Sequence, residues 1–259
     1  MIISDPQQFL KSLDKDDWQK IQSQFARIDR LLGPGDKFQF GCEKRGDCCR
    51  DRHEHPILLS VYDVFRLRQH LKVSGQEFAE KYGRTLLGAH SQLPLMILRN
   101  DWTDKRREKS SCVNLKDNKC SVYENRPLVC RLYPVGRALD PDRNSYFMLT
   151  KTDGCCPTGC GQEHTIEEWL TKAEAESFFE WNDKFHELYM QIDFKNYKKL
   201  RKEIKWVFGN ILYDIGGPLE RIVGKEEYSR MSKLEDESLL EATHSIAKEY
   251  VNFVMKKRN

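Results

Sequence analysis

The chain has 259 residues, of which 39% are hydrophobic and 32% are charged, as is typical of a globular protein. Its 43 Lys and Arg residues against 40 Asp and Glu give a formal net charge of +3, which does not favour nucleic acid as a partner. No run of about 18 apolar residues predicts a membrane span. The start of the chain does not resemble a signal peptide, so we expect a cytoplasmic protein with reduced thiols.

The first half of the chain predicts a mixture of helices and short strands. Apolar spacing predicts a helix over residues 5–32, which the glycine and proline of LLGPGDK end. The segment 56–71 predicts a short strand and then a helix. Residues 93–115 predict two short strands around the charged turn DWTDKRREKSS, and NSYFMLT at 144–150 predicts another.

From Thr165 onward the pattern is helical. It predicts helices over 165–192 and 196–215, the second ended by two glycines and a proline, and a third that starts at Ser232 or Asp236. Helix starts are marked by three predicted capping boxes, Ser60 with Asp63, Ser74 with Glu77, and Thr165 with Glu168.

These elements predict an α+β fold, in which a small cysteine-rich metal-binding core has a mostly helical periphery and a helical C-terminal region. The predicted divisions are an N-terminal helix over 1–38, a cysteine-cluster domain over 39–164, and a helical region over 165–259 that packs on it.

All nine cysteines lie between residues 42 and 160, in polar segments rich in turns. An odd count in a long chain without a signal peptide does not indicate a disulfide scaffold, whereas clustered thiols favour metal ligation. There are no paired CxxC knuckles and no ferredoxin run, so the site must be assembled from distant segments. The predicted metal ligands form three groups: Cys42, Cys48 and Cys49; Cys112, Cys120 and Cys130; and Cys155, Cys156 and Cys160.

Adjacent cysteines constrain this assembly. Neighbouring side chains of an extended strand point to opposite faces. Cys48 and Cys49 are therefore expected to serve different metals, or one metal and one structural role, and the same applies to Cys155 and Cys156. Nine thiols can supply two four-thiolate sites with one to spare, or one cluster with additional reactive thiols.

Cys130 follows Pro127, which suits the first position of a helix. Free N–H groups at a helix start lower the pKa of a nearby thiol. Arg126 and Arg131 add positive charge beside Cys130, and we predict that they help to hold a negatively charged thiolate cluster as cofactor-binding residues.

Four strings carry a resemblance to a known family: CEKRGDCC, ILLSVYDVFRLRQHL, CVNLKDNKCSVYENRPLVCRLYP and CCP. Over about residues 39–169 the chain resembles the YkgJ-type cysteine-cluster family, the zinc- or iron-chelating CxxCxxCC domain. It is more distantly similar to the domain of flagellin lysine N-methylase, which is linked to an iron–sulfur cluster. The resemblance implies that these cysteines bind zinc or an iron–sulfur cluster.

The chain departs from this family pattern at Arg45, where the family has a cysteine. One ligand of the pattern is thus missing. Cys156 or Cys160 can replace it, the metal can keep an open position, or one of two sites can be lost. Arg45 can also pair with an anionic cluster or substrate.

Other polar groups are secondary candidates. His53, His55 and His164 are compatible with a mixed cysteine–histidine site, and solvated histidines are the alternative. The basic run from Lys195 to Lys205 is interpreted as a solvated helix face. No nucleotide-binding, nucleophile-elbow or HExxH motif is present in the sequence.

The predicted function is that of a metal-binding cysteine-cluster protein with an iron–sulfur cluster of the 4Fe–4S type, and with zinc as the alternative or second metal. Three classes follow: a redox or protein-modifying enzyme, an electron-transfer or iron-handling protein, and a structural zinc-binding interaction module. The expected partners are the metal or cluster and a protein substrate or redox partner, with no membrane and no nucleic acid.

Overall fold

The computed structural model describes residues 28–50, 56–88, 92–102, 109–139, 143–150, 161–192, 197–233 and 237–256. These residues have the mixed α+β structure that the sequence predicts. The chain divides into two compact units. Unit 1 consists of Met1–Cys48 and Leu128–Glu176, and unit 2 consists of Cys49–Pro127 and Ser177–Asn259.

Strands and helices are both short in the first half of the chain, and helices dominate the second half. The strands are β1 (Ile28–Leu32), β2 (Lys37–Phe40), β3 (Leu58–Leu59), β4 (Gly83–Leu87), β5 (Pro94–Leu98), β6 (Asn100–Trp102), β7 (Ser110–Cys112), β8 (Leu115–Lys116), β9 (Lys119–Cys120), β10 (Val135–Leu139), β11 (Ser145–Thr150) and β12 (Gln162–Thr165). The α-helices are α1 (Val61–Leu71), α2 (Gly75–Lys81), α3 (Leu128–Leu132), α4 (Ile166–Lys172), α5 (Ala175–Met190), α6 (Tyr197–Trp206), α7 (Pro218–Val223), α8 (Lys225–Lys233) and α9 (Ser238–Lys256).

Unit 1 contains two antiparallel sheets, one with the strand order β1-β11-β10 and one that pairs β2 with β12. In the first sheet, the buried Leu32 lies opposite Phe147, and Val135 lies opposite Leu149. In the second, Phe40 lies opposite Gln162. Burial of these apolar side chains holds the β-strands in register, because a slip by one residue would turn them toward solvent.

The prediction of a helix over 5–32 is wrong at its end, because Ile28–Leu32 is strand β1. The rest of that prediction lies outside the described residues. Local spacing does not distinguish the two structures in so short a segment, whereas β11 provides an open edge to which β1 adds. Tertiary pairing therefore decides the structure of these five residues.

Unit 2 contains a three-stranded antiparallel sheet with the order β3-β5-β4 and two smaller pairs, β6–β7 and β8–β9. On β5, Pro94, Met96 and Leu98 are buried, and the intervening residues are half-buried. Helix α1 packs its Tyr62 ring edge-on against Phe178 of α5, with 4.9 Å between the ring centroids. Apolar side chains of α5, α6 and α9 complete this core as the amphipathic spacing of those helices predicts.

The three capping boxes are confirmed. Each cap side chain accepts a hydrogen bond from the third helical residue, whose carboxylate accepts one in return, at the starts of α1, α2 and α4. A capping box depends on neighbouring residues, so its sequence signal is strong.

The predicted single helix over 165–192 is wrong, since α4 ends at Lys172 and α5 begins at Ala175. Glu174 between them has a left-handed backbone, with φ of 50°. The predicted aromatic stripe is divided by this break: Trp169 packs in unit 1, while Phe178, Trp181 and Phe185 pack in unit 2.

The later helices agree with the prediction except at their boundaries. Helix α6 continues into a π-helical turn, Val207–Ile211, before the predicted stop at the glycines. Ser232 belongs to α8 rather than to the start of the last helix, which begins at Ser238, and Asp236 lies outside the described residues. Across the described ranges, every helix is too short or too polar to cross a bilayer.

Candidate metal centre

The first cysteine group lies on an irregular loop after β2. Lys44 and Gly46 have positive φ, and Asp47–Cys49 forms one turn of 3-10 helix. Cys42 is exposed, whereas Cys48 and Cys49 are half-buried. The boundary between the two units falls between Cys48 and Cys49, which places these adjacent cysteines in different units.

Arg45, which stands where the family pattern has a cysteine, makes ion pairs within this loop. Its Nη1 lies 3.2 Å from Glu43 Oε2, and its Nε lies 3.0 Å from Asp47 Oδ2. The Arg45 side chain is 49% exposed, so these pairs contribute less than about 1 kcal/mol. Arg45 thus joins two carboxylates of its own loop.

Cys130 is the third residue of α3, and it is half-buried. The following residue, Arg131, is 6% exposed and donates from Nη1 to Glu174 Oε2 at 2.9 Å and to the Ala173 main-chain oxygen at 3.2 Å. The Trp169 indole N–H donates to the main-chain oxygen of Leu132 at 2.8 Å. These three hydrogen bonds fix α3 within unit 1.

Aromatic packing brings the Cys42 and Cys130 segments together in unit 1. The Phe40 ring packs edge-on against Tyr133, with 5.7 Å between the ring centroids. Cys42 follows Phe40 by two residues, and Cys130 precedes Tyr133 by three. The Phe40 ring also packs edge-on against Trp169, with 5.6 Å between the ring centroids, so the three aromatic rings form one packed group.

A close backbone approach lies beside Cys42. A Cβ atom at Gly161 would lie 2.6 Å from the main-chain nitrogen of Gly41, so glycine is required at 161. The backbone of Gly161 also has a φ of 93°, which favours glycine. Cys160, which precedes Gly161 in sequence, lies outside the described residues together with Cys155 and Cys156.

In unit 2, backbone pairing brings three cysteine-bearing segments together. An antiparallel bridge joins Arg50 to Ser111. Cys49 precedes Arg50 and Cys112 follows Ser111, so the two cysteines lie on the same side of the bridge, on neighbouring segments. Cys112 is buried, while Cys49 and Cys120 are half-buried.

The β8–β9 hairpin returns Cys120 to the same segment. Leu115 lies opposite Cys120, and the turn residues Asp117 and Asn118 both have positive φ, as in a two-residue type I′ hairpin. The Arg50 guanidinium donates to the side-chain oxygen of Asn118, which links the Cys49 segment to the hairpin.

Asn114, between Cys112 and Cys120 in sequence, carries a buried amide. Asn114 is 2% exposed and follows Cys112 by two residues. Its main-chain oxygen accepts hydrogen bonds from Ser121 N at 2.8 Å and Ser121 Oγ at 2.9 Å. Its side-chain Nδ2 is buried and has no hydrogen-bond partner among the described residues. Asn114 is not among the site residues that the sequence predicts.

Arg126 and His164, two further predicted site residues, contact aromatic side chains close to them in sequence. Arg126 lies with its guanidinium carbon 3.9 Å from the centroid of the Tyr123 ring and donates to the Tyr123 main-chain oxygen. His164 is buried, and its ring lies 5.0 Å from that of Trp169. His53 and His55 lie outside the described residues.

The described side chains do not form a complete set of metal ligands. No three His, Cys, Asp or Glu side chains within the described ranges are grouped so as to hold a metal ion. The backbone of unit 2 nevertheless juxtaposes three thiol-bearing segments and a buried amide that lacks an acceptor.

Residues 41–161 match the family model described as CxxCxxCC, "putative zinc- or iron-chelating domain". The chain contains a CxxCxxCC domain. All nine cysteines lie inside this domain, as the resemblance in the sequence implied. Its family description supports metal binding by zinc or iron. No curated protein and no solved structure gives a significant match to the chain.

Proposed function

We propose that this chain binds a metal centre through the thiolates of its CxxCxxCC domain, with an iron–sulfur cluster as the leading candidate and zinc as the alternative. The observation that carries the proposal is the pairing of unit 2, in which the bridge between Arg50 and Ser111 and the β8–β9 hairpin bring the segments of Cys49, Cys112 and Cys120 together.

The donor chemistry supports this assignment. Thiolates are soft ligands that select zinc and iron–sulfur clusters over magnesium or calcium. They bind as the deprotonated form, so the metal replaces a proton on each sulfur. Burial of Cys112 disfavours an uncompensated thiolate, and a bound cation would supply the compensating charge.

Three thiols leave one position of a four-coordinate site to fill. A structural zinc site takes four protein ligands, as does each cubane cluster with four cysteines. We propose that Cys155, Cys156 and Cys160 also belong to the ligand set of the domain. Cys42, Cys48 and Cys130 in unit 1 form a second group of proposed ligands.

Iron–sulfur is the leading candidate because nine thiols exceed the need of a single zinc site. An iron–sulfur cluster supplies one-electron redox chemistry when bound, whereas a structural zinc supplies folding free energy. The redox and electron-transfer roles belong to the iron–sulfur form of the proposal, and the interaction-module role belongs to the zinc form.

Arg131 and Arg126 are proposed to tune the centre by their charge. The Arg131 guanidinium is buried in unit 1 one residue after Cys130, and charge interactions are stronger away from water. Its partner Glu174 is 73% exposed, so solvent screens that carboxylate.

The experiment is metal and sulfide analysis of protein that is produced with added iron and purified without air. The proposal expects iron with acid-labile sulfide, or zinc, in a fixed ratio to the chain. Cys112→Ser and Cys120→Ser should lower that ratio, whereas Ser111→Ala, which changes the neighbour of Cys112 on β7, should preserve it.

Each result has a defined meaning. Iron with sulfide and a reversible reduction step supports the iron–sulfur form, and zinc alone supports the structural form. A wild-type chain that holds neither metal, or cysteine variants that retain the full metal content, would contradict the proposal.

A further inference from the structure

Three large aromatic side chains are exposed on α6 and α9 of unit 2. Trp206 is 37% exposed, Tyr250 is 40% exposed and Phe253 is 55% exposed. The rings of Trp206 and Tyr250 contact each other, with 5.4 Å between the ring centroids. Phe253 follows Tyr250 by three residues, so the two side chains lie on the same face of α9. We refer to Trp206, Tyr250 and Phe253 as the aromatic patch.

A different face of each helix supplies the core of unit 2. Ala247, Val251 and Val254 of α9 are buried, and so is Ile204 of α6. The aromatic patch is therefore on the outer surface of the two helices. Single exposed apolar side chains are common on proteins, whereas contiguous ones mark a contact surface for a partner.

The residues beside the aromatic patch are rich in lysine. Helix α6 contains five Lys or Arg residues and one Glu, and residues 248–258 contain four Lys or Arg residues and one Glu. Together these two stretches are more positive than the whole chain, whose formal net charge is +3, so the rest of the chain is net negative. Lys202 and Lys256 are exposed, one turn before Trp206 and one turn after Phe253. We therefore expect an anionic partner at this surface.

The aromatic residue types favour a lipid surface over other anionic partners. Trp and Tyr combine an apolar ring with a polar N–H or O–H, which suits the boundary between lipid headgroups and acyl chains. A single-stranded nucleic acid instead stacks its bases on open ring faces. The Trp206 and Tyr250 rings are tilted by 48° against each other, so each covers part of its neighbour. Fluid lipids do not need a flat stacking surface.

We propose that the aromatic patch and the lysines beside it bind the surface of an anionic phospholipid bilayer. The aromatic rings insert at the headgroup boundary, and Lys202 and Lys256 pair with anionic lipid headgroups. The sequence predicts no membrane partner because it has no spanning segment, but a surface contact of this kind needs none. The inference does not depend on the metal centre.

The test measures co-sedimentation of the full chain with phospholipid vesicles at low ionic strength. One set of vesicles is phosphatidylcholine alone, and the other contains equal parts of phosphatidylcholine and phosphatidylserine. We expect binding to the mixed vesicles to be at least about 10-fold tighter than binding to phosphatidylcholine. Added salt should weaken the binding, because screening shortens the reach of the lysine charges.

Substitutions separate the aromatic contribution from the basic one. Trp206→Gln and Phe253→Gln should each weaken binding to the mixed vesicles by about 10-fold. Lys202→Gln should weaken it by about fivefold. Leu87→Gln and Lys81→Gln are matched controls, because Leu87 on β4 and Lys81 on α2 are exposed but lie outside the aromatic patch. Both controls should bind as the wild type does.

Circular dichroism checks that each variant retains the wild-type fold. Phe253 is the most exposed residue of the aromatic patch, so Phe253→Gln keeps the test decisive if Trp206→Gln fails to fold.

Four outcomes would overturn the inference. A wild-type chain that does not bind the mixed vesicles would exclude the bilayer contact, and equal binding to both vesicle types would exclude recognition of lipid charge. Wild-type affinity in the folded aromatic variants would show that the aromatic patch does not touch lipid. A single-stranded oligonucleotide or polyglutamate might bind as tightly as the mixed vesicles do; if the same substitutions weaken that binding, the aromatic patch belongs to a soluble acidic partner.

Discussion

Arg68 of α1 donates a hydrogen bond from Nη2 to Oδ2 of Asp214 at 3.3 Å, and both side chains are largely buried in unit 2. The other carboxylate oxygen of Asp214 accepts from the main-chain nitrogen of Leu219 at 3.3 Å, and the Tyr228 hydroxyl donates to Oδ2. One buried carboxylate thus connects α1, the start of α7, and α8.

We expect Arg68→Met to destabilise the protein by about 3–5 kcal/mol, because it leaves the Asp214 carboxylate buried without its cation. Urea unfolding with an unchanged m-value would measure the loss. Lys81→Met is the control, since Lys81 pairs with Glu77 at an exposed site and its loss should cost less than about 1 kcal/mol. Equal effects of the two substitutions would contradict a structural role for the buried pair.

Buried tyrosines predict a loss of stability at alkaline pH. Burial raises the pKa of Tyr213 to about 12, and it also raises the pKa of Tyr62, Tyr189 and Tyr228. Because the folded pKa lies above the unfolded value, this contribution is complete below pH 10 and is lost as the pH rises toward the folded pKa.

Each such tyrosine steepens the fall of the unfolding free energy by up to about 1.4 kcal/mol per pH unit in that window. Urea unfolding at several pH values from 8 to about 11 would measure the slope. Tyr213→Phe should flatten the slope, and Tyr250→Phe, at an exposed position, should leave it unchanged. A slope that is the same in wild type and Tyr213→Phe would refute the assignment.

The parts of the fold that depend on adjacent residues could be predicted from local sequence signals. Ser60 and Asp63, like the other two capping boxes, act over three residues, so their pattern was sufficient to locate the helix starts. The strand at β11 and the helix start beside Pro127 were also predicted, because β-branched and aromatic residues and proline have strong local preferences.

The features that could not be predicted from the sequence depend on contacts between residues far apart in the chain. The apolar spacing runs through Glu174 without interruption, yet Arg131, from 43 residues earlier, bonds to this turn. The cysteines were predicted to bind a metal, and the family description supports metal binding at the level of the domain. Their distribution between two units could not be predicted, because the Arg50–Ser111 bridge joins residues that are far apart in sequence.

From the contact between Arg131 and Glu174 we predict that substitutions of the two residues lower stability by different amounts. Arg131→Met should destabilise the apoprotein by about 1.5–3 kcal/mol, because it removes charge-assisted donors to the Ala173 oxygen and Glu174. Glu174→Gln should cost less than about 1 kcal/mol, since Glu174 is 73% exposed. Urea unfolding of metal-free protein measures both, and equal losses would show that the ion pair, rather than the buried carbonyl contact, dominates.

We predict that position 161, beside the candidate ligands in sequence, requires glycine. Alanine there would place Cβ 2.6 Å from Gly41 N, in addition to the strain of a φ of 93°. Gly35→Ala is the matched control, because Gly35 has a φ of 77° but nothing within 4 Å of the added Cβ. The control should therefore show the backbone strain alone, about 1–2 kcal/mol.

We expect Gly161→Ala to lose clearly more stability than Gly35→Ala, because the added methyl group must push β12 away from β2. Cys42 follows Gly41 and Cys160 precedes Gly161 in sequence, so Gly161→Ala should also lower the metal content if both cysteines are ligands. Gly35→Ala should retain the metal. Equal stabilities of the two variants would contradict the close approach, whereas full metal content in a destabilised Gly161→Ala would exclude a joint ligand role for Cys42 and Cys160.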